Sequence, residues 1–171
     1  MVMRKRRKEY MLHMDAVEKD GYDILERAGR KQARAYELIG YLDLLNRWNR
    51  VGSPVVVGAV RYGLVAARDI DMEVYSDAPR IWDGFSVMSG VAVMPGVREV
   101  TFMNGLDSPD MGLYWRVIVR DADGGEWKID TWHVGHDHPD AHWCERFAVA
   151  MEASLTDDVR RAIIGIKESL V

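Results

Sequence analysis

The run Val55-Val56-Val57-Gly58-Ala59, followed by Asp69-Ile70-Asp71-Met72-Glu73-Val74, constrains this chain more than any other stretch. Consecutive β-branched residues predict a strand buried on both faces, and Gly58 ends it. From Ile70 to Tyr75 apolar and polar residues alternate, the pattern of a second strand. A strand turns its side chains to opposite faces at each step, so Asp69 and Asp71 share a face while Ile70 and Met72 anchor the other. Their Cα atoms are expected to lie about 6.5–7 Å apart. Two carboxylates at that spacing can converge on a hard cation, which prefers oxygen ligands.

The remaining elements follow from periodicity and punctuation. Residues 4–20 read as a helix closed by Asp20-Gly21. A second helix is predicted over about Ile24–Trp48, with an interruption near Gly29, and Leu38, Leu42 and Leu45 recur on one face of it. Gly52, Ser53 and Pro54 stop it. Pro79 to about Met94 is predicted to be helical despite Gly84 and Gly90, with Pro95-Gly96 ending it. A strand is expected at Val97–Met103, then a loop over 104–112 rich in Asn, Gly, Asp and Pro. Leu113–Arg120 and Glu126–Val134 read as strands joined by the hairpin turn Asp121-Ala122-Asp123-Gly124-Gly125. One helix is expected from Pro139 to about Ala153 and a last one from Asp157 to Ser169, with Thr156 as its N-cap. The fold class is α+β: a mixed sheet of about five strands, with N- and C-terminal helices packed on it. Residues 1–171 form one domain, with a motif core over about 55–134 and flanking helices over 4–50 and 139–169.

Composition narrows the function classes. A net charge of −4 argues against a dedicated nucleic-acid binder. The unbroken basic run Arg4-Lys5-Arg6-Arg7-Lys8 reads either as a solvated helix start or as a phosphate-contacting arm. Cys144 is the single cysteine, so no intramolecular disulfide forms, and no apolar run has the length of a membrane span. The expected compartment is the cytoplasm.

A third acid, Asp130, lies between Ile129 and Thr131 in a strand, where a charge needs a reason to be. With it, the chain resembles the nucleotidyltransferase superfamily, the DNA polymerase β-like fold of minimal nucleotidyltransferases and antibiotic-modifying enzymes. That pattern is an apolar strand, a Gly-Ser or Gly-Gly turn, Asp-x-Asp about ten residues on, and later a strand aspartate. Here it reads Val57-Gly58-Ala59, Asp69-Ile70-Asp71 and Lys128-Ile129-Asp130, with Gly63 where many members carry a second glycine. The resemblance implies a nucleoside triphosphate such as ATP as substrate, with Asp69, Asp71 and Asp130 as catalytic residues holding two Mg²⁺ ions. It implies that Gly58, Ala59 and Arg61 contact the nucleotide, and that Asp130 takes the acceptor's proton. The product is a nucleoside monophosphate on an acceptor hydroxyl of a small molecule, protein or RNA. Ala59 departs from the pattern, since alanine has no hydroxyl to give a phosphate oxygen. The alternative is a catalytically inactive protein of the same fold, serving as a binding or regulatory module.

Other residues carry two readings each. Arg61 is within reach of a β- or γ-phosphate, or of a surface acid. Glu73 shares the face of Asp69 and Asp71, as a supporting partner or as a solvated strand end. His133, His136, His138 and His142, with Asp137 and Asp140, form either a metal site or a loop whose acids cap a helix. His133 is also a candidate near the acceptor, although its odd spacing from Asp130 points it to the opposite face. Trp82, Trp115, Trp127, Trp132 and Trp143 serve either base stacking or core packing.

Overall fold

The computed structural model describes residues 24–170; the expected helix over 4–20 and the basic run lie outside the described residues. The chain enters as helix α1, residues 24–41, then turns through Leu42 and Asp43 into the short helix α2, Leu44–Trp48. The expected interruption near Gly29 is not there: the helix runs through it, and Gly29 has open space around it. The break falls instead at Asp43, whose φ is 53°, a left-handed conformation that an aspartate tolerates better than most residues.

Strand β1, Ser53–Val57, passes into a five-residue helix α3, Gly58–Tyr62, and then into β2, Asp69–Ser76. Helix α4, Ile81–Ala92, leads to β3, Val97–Gly105, β4, Gly112–Arg120, and β5, Glu126–Gly135. Helices α5, Trp143–Ser154, and α6, Asp157–Glu168, close the described chain. The sheet order is β1-β2-β5-β4-β3, with β2 and β5 parallel and the other neighbours antiparallel.

Two expectations are corrected here. β1 is an edge strand, so Val55 and Val56 are half-buried and only Val57 is buried, rather than the whole run being covered on both faces. Pro54 fits such an edge, because it has no N–H to give a ladder. Helix α5 begins at Trp143 rather than near Pro139, since residues 137–142 form turns and His142 precedes the helix with φ 61°. The expected N-cap of α6 is present: Val159 N–H donates to Thr156 Oγ1 at 3.3 Å.

The core lies on one face of the sheet. Ile70, Met72 and Val74 of β2, Trp127 and Ile129 of β5, and Trp115, Val117 and Val119 of β4 pack under α1, α2 and α4. Gly84 makes a close joint in this core. A Cβ there would stand 2.3 Å from the ring of Trp115, so the residue that weakens α4 by propensity lets it sit down on β4. The opposite face carries Asp69, Asp71 and Glu73 of β2, Tyr114 and Arg116 of β4, and Lys128 and Asp130 of β5, all half-buried.

Candidate functional site

The parallel register of β2 and β5 sets Asp71 directly beside Asp130 and Asp69 beside Lys128. One carboxylate oxygen from each of Asp69, Asp71 and Asp130 lies within 4.8 Å of the others. The alternation that buries Ile70, Met72 and Ile129 in the core is what turns all three acids to the same open face. Among the described residues, this is the one group with the spacing of a metal site.

Gly58 stands over Asp71. Its φ of 63° suits glycine, and a Cβ there would lie 2.3 Å from Asp71 Oδ2. The turn is therefore fixed by the carboxylate beside it. β1 ends against the middle of the acid cluster, since Val57 pairs with Asp71. Ala59 follows in the first turn of α3. Arg61 is drawn to the other side, where its Nη2 meets Glu152 Oε1 of α5 at 3.2 Å, the surface-acid reading of that residue.

Several neighbours that sequence reasoning passed over complete the site. Lys128 Nζ lies 3.2 Å from Asp69 Oδ2 and 3.0 Å from Asp130 Oδ2, an ammonium bridging two of the three acids. Tyr114 Oη and Arg116 Nε both donate to Asp130 Oδ1, at 2.7 and 3.0 Å. Lys128 was findable, because it precedes Asp130 by two residues in a strand and so shares its face. Tyr114 and Arg116 were findable too, since a hairpin closing at Arg120 and Glu126 places Arg116 opposite Asp130.

The acids differ in electrostatic state. Burial, then the charges of Asp69 and Asp130, push Asp71 up to about 6. Burial also acts upward on Asp130, but the donors Arg116, Tyr114 and Lys128 outweigh it and hold Asp130 below the usual carboxylate range. Asp69 Oδ1 is buried and has no hydrogen-bond partner. An orphaned carboxylate oxygen beside a carboxyl that resists ionising is the electrostatic condition that a bound cation relieves. The all-oxygen donor set fits Mg²⁺.

The other candidates separate. His133 is buried on the core face, with Nε2 2.8 Å from Ser76 Oγ and its ring edge-on to Trp48, so it faces away from the acids. His136 and His142 stack with Tyr75 and with each other, and His138 joins two loops, so among the described residues the histidines form no group with the spacing of a metal site. Trp115 and Trp127 are core, Trp82 and Trp143 are exposed, and only Trp132 stands on the acidic face. Glu73, next along β2, accepts a hydrogen bond from Tyr75 Oη.

No family model matches the sequence, and no curated protein matches it. The fold nevertheless is that of the nucleotidyltransferases. The chain superimposes on the Cid1 poly(U) polymerase bound to MgATP with a TM-score of 0.62 over 87% of its length, at 13% identity. It is similar to Cid1 in complex with its short product ApU at a TM-score of 0.59 and 12% identity, again over 87% of this chain. A cytoplasmic RNA terminal U-transferase gives 0.57 and 14%, also over 87%. The match covers 46%, 44% and 43% of those three chains, so this protein spans less than half the length of the enzymes it resembles. Among the described residues, no helix is long and apolar enough to cross a membrane.

Proposed function

We propose that this protein is a Mg²⁺-dependent nucleotidyltransferase, which moves a nucleoside monophosphate from a nucleoside triphosphate to an acceptor hydroxyl. The observation that carries the reading is the convergence of Asp69, Asp71 and Asp130 from adjacent parallel strands, within 4.8 Å, beneath the Gly58 turn. These three residues would hold two Mg²⁺ ions, which when bound neutralise the triphosphate and lower the pKa of an acceptor hydroxyl. The reaction forms a bond from the acceptor oxygen to the α-phosphorus and breaks the bond from that phosphorus to the bridging oxygen. Pyrophosphate leaves, and the hydroxyl proton is released.

The chain's own contribution is positioning and charge. Three donors fix the Asp130 carboxylate and make it a weak proton acceptor, so the role that suits it is a rigid ligand rather than a base. Lys128 stands where its ammonium neutralises the acids, and a triphosphate bound beside them offers it an alternative partner. Gly58 lets the turn close on the Asp71 carboxylate without displacing it, which keeps that group in place for an ion.

The non-catalytic reading rests on Ala59, which lacks the hydroxyl that the fold's usual turn supplies. Transfer separates the two. Wild type and Asp71→Asn are incubated with α-labelled ATP, Mg²⁺ and a cell extract, and label is followed into any acceptor. The expected outcome is labelling by wild type, with a loss of at least 100-fold (about 2.7 kcal/mol) in Asp71→Asn. Equal labelling by the variant would place the chemistry elsewhere. MgATP binding without labelling would favour the non-catalytic protein.

A further inference from the structure

The sheet has two edges, and they are built differently. β1, at one edge, is five residues long, carries Pro54 and has α5 beside it. Short length, a proline and a covering helix each keep a strand edge from pairing with a foreign strand. β3, at the other edge, is nine residues long and holds neither proline nor lysine. Among the described residues nothing pairs with its outer side. A bulge at Arg98 interrupts only its first residues, because the register with β4 runs unbroken from Glu99 to Gly105. That leaves a row of backbone donors and acceptors open to a further strand.

An apolar helix face lies directly above that edge. The Phe85 ring of α4 stands 5.0 Å from the Phe102 ring of β3 and is still exposed. Trp82, Phe85, Ser89 and Val93 recur at helical spacing along this side, and Trp82 and Val93 are 80% and 81% exposed. Asp83, the one charged residue of α4, is taken up by Arg80 at 2.8 Å. A single exposed apolar side chain needs no partner. A row of them on an uncharged helix face, beside an open strand, marks an interaction surface.

The layout selects the partner. A strand edge takes a strand and an apolar helix takes an apolar face, and a second copy of this chain supplies both at once about a two-fold axis. The charges agree. On β3 only Arg98 and Glu99 are charged, and both stand near its start, while Met103, Asn104 and Gly105 end it. Antiparallel pairing sets the charged end of each strand against the uncharged end of the other, so no like charges meet. The area agrees too. β3 is about 30 Å long and α4 about 18 Å. Side by side they offer on the order of 500 Å² per copy, so two copies bury roughly the 1,000 Å² that a specific contact requires. An interface at that lower limit is a weak one, and association is expected in the micromolar range.

We propose that β3 and α4 form a homodimer interface, in which the two β3 strands pair antiparallel and the two α4 faces close over them. The sheets of the two copies then run on as one. The three aspartates stay open, because they lie on β2 and β5, with β4 between β5 and the interface. Thr101 and Met103 stand beside Arg116 and Tyr114 of β4, so the pairing carries the acidic face of the sheet on into the second copy.

The test is sedimentation of the 171-residue chain at about 1 µM and about 100 µM, which brackets a micromolar dissociation constant. At the higher concentration the mass is expected to approach twice that of the monomer, and to fall on dilution. Over the same range, hydrogen exchange at the amides of 99–105 slows as the dimer forms. Trp82→Lys/Thr101→Lys alters two exposed positions and is expected to weaken association by at least about tenfold. An unchanged far-UV circular dichroism spectrum verifies that this variant is folded. Val149→Lys, at an exposed position on α5, leaves the dimer intact. A wild type that stays monomeric at the higher concentration overturns the proposal, as does a dimer that survives the double variant. Loss of the dimer in Val149→Lys places the contact on another face and overturns it equally. So does a dimer whose β3 amides exchange as fast as those of the monomer.

Discussion

At the scale of single residues, the site is a problem of unbalanced charge. Three carboxylates converge, one oxygen of Asp69 is buried without a partner, and the bridging cation the chain supplies is Lys128. Replacing Lys128 with methionine keeps the aliphatic stem and removes the charge. Without metal, this variant is expected to melt below wild type by a few degrees, corresponding to about 1 kcal/mol, because the pair is half-exposed. Its apparent affinity for Mg²⁺, read as the rise in melting temperature on titration, is expected to increase, since the ion no longer displaces an ammonium. A Lys128→Met protein with unchanged Mg²⁺ response would show that the lysine does not compete for the acids. Gly58→Val should fail in another way. Its side chain meets Asp71 Oδ2 rather than empty space, so Mg²⁺ stabilisation as well as triphosphate binding should disappear. Retained Mg²⁺ stabilisation in a folded Gly58→Val protein would separate the turn from the acid. The three acids were legible in the sequence, two by strand parity and one by its isolation between Ile129 and Thr131 in a strand. Lys128 was encoded by the same parity, whereas reading Tyr114 and Arg116 needed the register of the hairpin from Arg120 to Glu126.

At the scale of elements, strands were more legible than helix boundaries, for physical reasons. Alternation along β2, β4 and β5 reflects one buried and one open face, and it survives through the middle of each strand, over 69–74, 113–120 and 126–133. The parallel pairing of β2 with β5 leaves no local trace, because an intervening helix and two strands separate them. Helix limits were harder, as Asp43 and His142 adopt left-handed conformations that no glycine announces. Gly84 was misread for a related reason. Propensity counts it as a weakness of α4, whereas packing requires it against Trp115, which is itself pressed by Phe85 and Phe102. A Gly84→Ala protein should gain helix propensity and still lose stability, by about 1–3 kcal/mol from overpacking. Denaturant unfolding gives the sign: a more stable Gly84→Ala protein would mean that α4 does not rest on Trp115.

At the scale of the whole molecule, a buried histidine and a half-buried aspartate set opposite pH dependences. Burial pushes His133 down from 6.5 to about 4, while burial and its acidic neighbours push Asp71 up from 3.8 to about 6. Between those limits the unfolded chain binds a proton at His133 that the folded protein refuses, so that contribution to stability is lost as pH falls. For Asp71 the folded protein holds the proton more tightly than the unfolded chain, so its contribution is gained as pH falls and lost as pH rises toward 6. The carboxyls of Asp121, Asp123, Asp130 and Glu168 are held below their usual values, and their losses come mainly at or below the acid end of this window. Each opposing contribution is on the order of 1–3 kcal/mol, discounted for the partial exposure of Asp71. In metal-free wild type the two act against each other. The stability of Asp71→Asn should therefore fall more steeply than that of wild type as pH drops from 6.5 toward 4, while at neutral pH it exceeds wild type. His133→Gln should show the reverse slope, whatever its absolute stability. Mg²⁺ should restore the lost stability of wild type above pH 6, because the ion favours the ionised Asp71, and should do little for Asp71→Asn. Denaturant midpoints across this range, with and without Mg²⁺, decide the matter. Parallel pH profiles for wild type and Asp71→Asn would mean that Asp71 ionises as an ordinary surface acid and that the cluster stores no charge strain for a cation to relieve.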